Sequence, residues 1–179
     1  MKILIVVDMQ KDFIDGALGT KEAQAIVPLC RDKIAAFEGL VLYTQDTHSE
    51  AYLTTQEGQK LPIAHCVKGT DGWEINPLIA EALAEKKAKP FEKGTFGSLE
   101  LALWLQKVKA DEEKNGGQLE EIELIGLCTD ICVITNALVI KAALPEIPIR
   151  VDSACCAGVT PESHKNALAA MSQCQIEII

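Results

Sequence analysis

The sequence predicts an α/β protein, a three-layer α/β/α sandwich with a six-stranded, mostly parallel sheet. Short aliphatic runs alternate along the chain with longer stretches whose apolar residues recur at helical spacing. The aliphatic runs are continuous, which is typical of strands that are covered on both faces. Strands that alternate with helices predict parallel pairing through right-handed crossovers. The chain shows no internal repeat, so we expect a single domain over residues 1–179.

The six candidate strands are the short aliphatic runs themselves. Each has a length that suits a buried strand, and six strands is close to the usual sheet size. In chain order they are Ile3–Val7, Leu40–Thr44, Ala88–Phe91, Ile122–Gly126, Ile149–Val151 and Gln175–Ile178.

Helix signals fill the stretches between these runs. Residues Thr20–Phe37 have apolar positions at helical spacing, Asn76-Pro77 opens a second helix, and Ser98–Trp104 begins a third. Near the carboxyl end, Thr160 supplies an N-cap and Pro161 stands at the first helical position. Four helices are therefore predicted here.

A further helix is expected after the strand that ends in GLCTDICV. Thr129 or Asp130 can cap this helix, which places Cys132 in its first turn. Before that strand, the segment Asp111–Gln118 is polar and contains glycine, so it is predicted to be a surface loop.

Composition limits the classes of function. The formal net charge of −9, without a cluster of Lys and Arg, argues against binding to nucleic acid or to an anionic membrane surface. The first apolar run ends at Asp8, too early for a membrane span, and no signal-peptide cleavage region follows it. Seven cysteines without a disulfide pattern indicate a reduced, cytoplasmic protein.

Open parallel sheets place their sites beyond the carboxyl ends of strands, so the polar residues that follow strands are candidates. Asp8 in VVDMQKDF and Lys93 in FEKGTFGS stand at such ends, although either type of residue also serves as a cap or a surface charge. Cys132 lies where backbone N–H groups and the helix dipole favour a thiolate and an oxyanion. Asp8, Lys93 and Cys132 are therefore candidate catalytic residues.

A second group of residues suits a divalent metal. Asp46 and His48 in TQDTH are two residues apart, so their side chains leave the same face of an extended segment. Their oxygen and nitrogen atoms are common metal ligands, and Glu57 and His65 could complete the set.

Two alternative hypotheses about the function of the cysteines remain open. His164 could pair with Cys132 as in thiol proteases, although it lies in the first turn of the last helix. Cys128 and Cys132 could form a thiol redox pair, although their spacing is one helical turn and differs from C-x-x-C.

Six segments, taken together and in their order along nearly the whole chain, resemble the isochorismatase-like cysteine hydrolases. They are VVDMQKDF, TQDTH, AHCVKGT, FEKGTFGS, GLCTDICV and VDSACCAGVTPESHKNAL. The resemblance implies their Rossmann-type fold and an Asp8–Lys93–Cys132 catalytic triad. It also implies an oxyanion hole formed by the N–H groups of Cys128 and Cys132, with a cis peptide bond before Cys128. The implied activity is hydrolysis of a small amide through a thioester.

The metal residues resemble those of the nicotinamidase branch. That branch binds zinc, and in some members manganese or iron, through residues that match Asp46, His48 and His65, with an acidic ligand that Glu57 would match. In that branch the metal contacts the pyridine nitrogen of the substrate. The resemblance thus implies a nitrogen-heterocyclic carboxamide such as nicotinamide as the substrate, and a homo-oligomeric enzyme.

One departure concerns the substrate pocket. Nicotinamidases commonly hold the ring between a Phe that matches Phe13 and a second aromatic residue shortly before the metal-binding His. In KLPIAHC that second aromatic is replaced by Leu61 or Pro62. Loss of a ring partner costs about 0.5–1.5 kcal/mol beyond the apolar area, so a different small amide is the alternative substrate.

Overall fold

The computed structural model describes all residues, 1–179, and contains one six-stranded sheet in which every strand pairing is parallel. The predicted α/β/α sandwich is therefore confirmed, and the sheet is entirely parallel. The strands are β1 (Lys2–Val7), β2 (Leu40–Asp46), β3 (Lys89–Lys93), β4 (Glu121–Leu127), β5 (Ile149–Ala157) and β6 (Ile176–Ile178). Their spatial order is β3-β2-β1-β4-β5-β6.

Seven α-helices connect or flank the strands, and none of them combines the length and apolar composition that a bilayer crossing requires. They are α1 (Lys11–Ile14), α2 (Lys21–Ala36), α3 (Gln56–Lys60), α4 (Pro77–Glu85), α5 (Leu99–Lys114), α6 (Ile134–Ala143) and α7 (Pro161–Gln173). The predicted cap of α7 by Thr160 forms, as a capping box with Ser163, and Thr20, Asn76 and Ser98 cap α2, α4 and α5. The short helices α1 and α3 were not predicted, because four or five residues show no helical period.

Both faces of the sheet are buried, which explains the continuous apolar strands. In β1, Ile3, Ile5 and Val7 join the core under α5, α6 and α7. Leu4 and Val6 join the opposite core, under α2 and α4. Because successive strand residues point to opposite faces, every position of β1 from Ile3 onward must be apolar.

The expectation of a loop over Asp111–Gln118 is wrong for its first half. Helix α5 continues to Lys114, and Lys109 pairs with Glu113 at 2.6 Å one turn later on the same face. Charged residues of this kind support an exposed helix through such pairs. Asn115 caps its carboxyl end, before Gly116, which adopts a positive φ of 78°.

Sheet order determines where a site can form. The chain moves outward from β1 to β2 and β3, then returns to place β4 on the other side of β1. This is the switch point at which open α/β sheets leave a crevice beyond the strand ends. β4 closely approaches β1 there: a Cβ on Gly126, whose φ is +116°, would lie 2.2 Å from Val7 O.

Candidate active site

Asp8 directly follows β1, at the carboxyl edge of the sheet, and its side chain is fully buried. Its Oδ1 accepts a hydrogen bond from Thr44 Oγ1 at 2.7 Å, and its Oδ2 lies 2.7 Å from Lys93 Nζ. The backbone N–H of Asp8 donates to Thr44 O on the neighbouring strand. These contacts hold the carboxylate in one position.

Lys93 is the last residue of β3 and its side chain is 2% exposed, so it is not the solvated surface charge that its residue type would suggest. Its ammonium lies 2.7 Å from Asp8 Oδ2, 3.3 Å from Asp46 Oδ1 and 3.5 Å from Cys132 Sγ. The structure thus brings together the three candidate catalytic residues, which are far apart in sequence.

Cys132 lies in a π-helical turn, Thr129–Val133, between β4 and α6. The expected cap by Thr129 or Asp130 is wrong, because no side chain caps this turn. Thr129 and Asp130 instead contact the segment after β5: Thr129 Oγ1 pairs with His164 Nδ1 at 2.8 Å, and Asp130 Oδ1 accepts from Val159 N at 3.0 Å. The partners in these contacts lie outside the turn and α6, so the local sequence pattern does not predict them.

The peptide bond between Leu127 and Cys128 is cis, as the resemblance implied. The carbonyl of Cys128 accepts hydrogen bonds from the N–H groups of Ile131 and Val133, at 3.1 and 3.0 Å. The start of the π-helical turn is therefore held by its own backbone.

Burial governs the protonation of the cluster. It raises the pKa of Asp8 against the pull of the Lys93 ammonium, and it raises the pKa of Cys132 well above that of an ordinary thiol, with the Asp8 carboxylate acting in the same direction. Burial alone would lower the pKa of Lys93, but the carboxylates of Asp8 and Asp46 outweigh it and raise that pKa. Burial thus disfavours the charged forms of Asp8 and Cys132, whereas the neighbouring Asp8 carboxyl favours the ammonium form of Lys93.

Asp46, His48 and His65 form a second buried cluster beside the first, and one ligand atom from each lies within 4.8 Å of the others. Asp46 Oδ2 is 2.8 Å from His48 Nε2 and 3.8 Å from His65 Nε2. Glu57, on α3, places Oε1 3.7 Å from both of these imidazole nitrogens. All four predicted ligand residues thus converge from β2, α3 and the segment before α4.

The chemistry of these donors fits a metal ion. His65 Nδ1 faces the carbonyl of Ile63 at 2.8 Å and must therefore carry the proton, which leaves the Nε2 lone pair directed at the cluster. His48 Nε2 is buried without a hydrogen bond in acceptable geometry, although Asp46 Oδ2 is near. Two imidazole nitrogens with two carboxylates suit zinc and related divalent ions.

Aromatic side chains support the imidazoles. The ring of Tyr52 lies 4.7 Å from that of His48 and 4.9 Å from that of His65, and its hydroxyl donates to Leu61 O at 3.0 Å. On another side, the Phe13 ring centroid is 5.5 Å from that of His65. Tyr52 was not predicted as a site residue, because an aromatic residue in a loop carries no distinctive pattern.

Gln10 and Asn136 were also missed by the sequence analysis. Gln10 pairs with the backbone of Asp46, accepting from its N–H at 2.7 Å and donating to its carbonyl at 2.8 Å. Asn136 donates to the carbonyls of Cys132 and Phe96, at 2.8 and 3.1 Å. In the sequence, only the position of Gln10 in the motif VVDMQ indicated that this residue lies near the site. No signal marked Asn136.

A cavity of about 770 Å³ opens beside both clusters, and Cys132, Asp46, Glu57 and His65 contribute to its lining. Phe13 and Leu61 also line it, so Leu61 is the residue found where a second aromatic was expected. A small molecule in this cavity would reach the thiol and the metal ligands together.

The alternative readings of the cysteines gain no support. His164 Nδ1 is occupied by Thr129 Oγ1, which gives His164 a partner other than Cys132. All seven cysteines are unpaired, and burial raises the pKa of Cys128 to about 12, which leaves little thiolate for disulfide exchange.

Comparison with known proteins gives one family. The isochorismatase domain matches residues 2–179. A curated relative, the nicotinamidase/pyrazinamidase of Mycobacterium tuberculosis, is 26% identical over 194 aligned positions that cover 100% of this chain and 98% of the relative.

Solved structures agree along the whole chain. The pyrazinamidase/nicotinamidase of Streptococcus mutans superposes with a TM-score of 0.83 and 25% identity, covering 100% of both chains. The pyrazinamidase of Pyrococcus horikoshii, solved in complex with zinc, gives a TM-score of 0.78 and 27% identity over 99% of this chain and 98% of its own.

Proposed function

The chain belongs to the isochorismatase family, and from this membership we propose that it is a metal-containing cysteine amidase. Its substrate in this proposal is a small nitrogen-heterocyclic carboxamide such as nicotinamide, which it hydrolyses to the acid and ammonia. The observation that carries the proposal is Lys93, whose ammonium contacts Asp8, Cys132 and the metal-site carboxylate of Asp46. The relatives named as nicotinamidases and pyrazinamidases support the same reaction class.

In the first half-reaction Asp8 accepts the proton of the Cys132 thiol while the sulfur attacks the amide carbon. Lys93 stabilises the negative charge that develops on sulfur. The N–H groups of Cys128 and Cys132 are the proposed donors to the tetrahedral oxyanion. When the carbon–nitrogen bond breaks, Asp8 returns its proton to nitrogen, ammonia leaves and a thioester remains.

In the second half-reaction water gives a proton to Asp8 and attacks the thioester carbonyl. The carbon–sulfur bond then breaks, the acid leaves, and the proton returns from Asp8 to the Cys132 sulfur. The raised pKa of Asp8 suits both transfers, because a more basic carboxylate takes the proton more readily.

Asp46, His48, Glu57 and His65 would hold the metal, with zinc favoured and manganese or iron as alternatives. A bound metal would supply a Lewis-acidic contact for the ring nitrogen of the substrate. Phe13, which lies against His65 and lines the cavity, would pack on the ring. Substitution of the second aromatic by Leu61 favours, as the second candidate, an amide other than nicotinamide.

Two further expectations belong to this proposal. Unpaired cysteines throughout the chain suit a reducing compartment, the cytoplasm. The homo-oligomer implied by the resemblance is checked by light scattering on a size-exclusion column, where a monomer would have a mass near 19.4 kDa.

The decisive experiment measures ammonia release from nicotinamide and pyrazinamide by the wild type and by Cys132→Ala, with bound metal quantified in both. We expect turnover by the wild type, loss of at least about 10³-fold in the variant, and about one metal per chain in both proteins. A folded, metal-loaded wild type that hydrolyses no carboxamide would contradict the proposal.

A further inference from the structure

The cavity is larger than a single-ring carboxamide needs. Its volume of about 770 Å³ lies in the upper part of the range of about 300–1,000 Å³ that holds drug-sized ligands. Nicotinamide is one six-membered ring with an amide, so it would occupy a minor part of this space. This inference rests on the proposed function, since it concerns the substrate of the same site.

Charge in the lining is confined to one side. The three residues with charged side chains, Asp46, Glu57 and Lys60, all lie between the end of β2 and the end of α3; Asp46 and Glu57 belong to the metal cluster, and Lys60 follows Glu57 by three residues on α3. The segments that follow α1, β3, β4 and β5 contribute no charged side chain to the lining. Away from the metal cluster the cavity therefore has no partner for an ionic substituent.

These uncharged segments instead present four large apolar side chains, which we call the apolar rim: Leu18, Phe96, Ile131 and Val159. Phe96 is 46% exposed and Val159 is 51% exposed. Both line the cavity while remaining open to water. A ligand that covered them would gain binding free energy in proportion to the apolar surface removed from water.

The metal end of the cavity holds a ring less tightly than two aromatic walls would. Phe13 lies on one side, and Leu61 stands where a second aromatic was expected. Binding free energy missing there would have to come from another part of the substrate. The apolar rim is the surface that can supply it.

We propose that the physiological substrate is a heteroaromatic carboxamide that carries a neutral apolar substituent. The carboxamide lies at Cys132, the ring lies between Phe13 and the metal residues, and the substituent covers Phe96 and Val159. Phe96 and Val159 are then specificity-determining residues.

The test compares kcat/KM for nicotinamide with kcat/KM for nicotinamides that carry a propyl, a phenyl or a carboxylate group at each free ring carbon in turn. With the zinc-loaded enzyme we expect the best apolar derivative to exceed nicotinamide by about tenfold or more. The carboxylate at the same ring carbon should be poorer than nicotinamide. If nicotinamide is hydrolysed and every apolar derivative is poorer, the inference is overturned and the proposed function stands.

Two variants assign the effect to the rim. Phe96→Ser should reduce the preference for the apolar derivative over nicotinamide by about fivefold to tenfold, as expected for losing part of an apolar contact. Leu99→Ser is the matched control: Leu99 is 71% exposed, lies three residues further on in α5 and does not line the cavity. An equal loss of preference in both variants would contradict the assignment.

Binding affinities measured with an inactive variant distinguish failure of this inference from failure of the proposed amidase function. Calorimetry with zinc-loaded Cys132→Ala measures Kd for the same compounds. Tighter binding of the apolar derivatives without hydrolysis of any compound shows that the amidase proposal fails while the apolar rim still selects the ligand. Equal or weaker binding of these derivatives overturns the inference whatever the turnover.

Discussion

A single buried ammonium faces two carboxylates in this site. Lys93 Nζ lies 2.7 Å from Asp8 and 3.3 Å from Asp46, and all three side chains are buried. The two carboxylates do not depend on Lys93 equally, because Asp46 also contacts His48 at 2.8 Å. The stability effects of substituting these residues should therefore be unequal.

We expect Lys93→Met to be more destabilising than Asp8→Asn. The first leaves Asp8 buried without a counter-ion and should cost about 3–5 kcal/mol in the free energy of unfolding. The second leaves Lys93 its contact with Asp46 and should cost less, although both variants should lose the proposed amidase activity. Urea unfolding of the metal-loaded proteins measures the difference. If Asp8→Asn lowers the free energy of unfolding as much as Lys93→Met does, the contact between Lys93 and Asp46 does not compensate for the loss of the Asp8 carboxylate.

His164 gives a prediction for pH. Burial lowers its pKa below the ordinary value of 6.5, so the unfolded chain binds this proton more readily than the folded chain does. The contribution of His164 to stability is therefore complete above about pH 6.5 and is lost as pH falls through its folded pKa. The free-energy difference between wild type and His164→Gln should shrink from pH 7.5 to pH 5.5. A free-energy difference that grows as pH falls would show that folding raises the pKa of His164, which contradicts this prediction.

Residue roles differed in how far they could be predicted. Asp8, Lys93 and Cys132 follow strands in sequence, so a parallel sheet must bring them to one edge, and strand ends can be found from apolar runs. Gln10 and Asn136 act on backbone atoms of distant segments. Any polar residue type can do this, so the sequence contains no pattern that identifies them.

At the scale of elements, Asn136 connects α6 to the segment between β3 and α5. It is fully buried, accepts from Ser98 N at 3.0 Å, and donates to Phe96 O and Cys132 O. The segment after Lys93, which carries Phe96, is thereby fixed against the turn that carries Cys132.

Replacing Asn136 by Leu should lower the free energy of unfolding by on the order of 3 kcal/mol, because three backbone groups, two of them in fully buried hydrogen bonds, lose their partner. Chemical denaturation of the variant measures the loss. Asn166→Leu, at an exposed position of α7, is the control and should stay within about 0.5 kcal/mol of wild type. Similar effects in both variants would mean that the three hydrogen bonds contribute little.

Element boundaries show where sequence patterns stop being informative. The strand runs predicted all six strands, yet β5 extends from the apolar Ile149–Val151 through Ala157. Its later residues pair with the end of β4, with Cys156 opposite Gly126. That pairing depends on the tertiary structure, because the mixed polar and apolar residues of DSACCA do not predict a strand by themselves.

At the scale of the whole molecule, the two clusters lie beyond the carboxyl ends of one sheet but differ in what holds them. Asp8, Lys93 and Asp46 are attached to strands, whereas Glu57 and His65 lie in residues 47–68 of the long connection 47–76 between β2 and α4. A metal ion would join this connection to the sheet.

Metal removal should therefore destabilise the protein and loosen one region selectively. At a metal concentration of 100 times Kd, binding adds about 2.7 kcal/mol to stability, so chelation should lower Tm. Amide hydrogen exchange should accelerate over 47–68 and remain unchanged in β1 and β4. His65→Ala should show the fast exchange with or without metal. Uniform acceleration across the sheet would contradict this arrangement.

The fold was the most predictable part of the molecule, because continuous apolar strands alternating with helices leave few other arrangements. The order of the six strands did not follow from the sequence analysis, since any parallel order buries the same residues. Cavity size was equally inaccessible, because it depends on how Leu18, Phe96, Ile131 and Val159 come together from four separate segments.

Asp46 has a consequence for how such a protein can evolve. One of its oxygens contacts the ammonium of Lys93 and the other contacts the imidazole of His48, so mutation at this position is pleiotropic. In the proposed enzyme, a lineage that shifts its preferred metal through Asp46 would at the same time alter the charge beside Lys93 and Cys132. Adaptive change in metal preference is therefore expected to accumulate at Glu57, which contacts the two imidazoles and neither Lys93 nor Cys132.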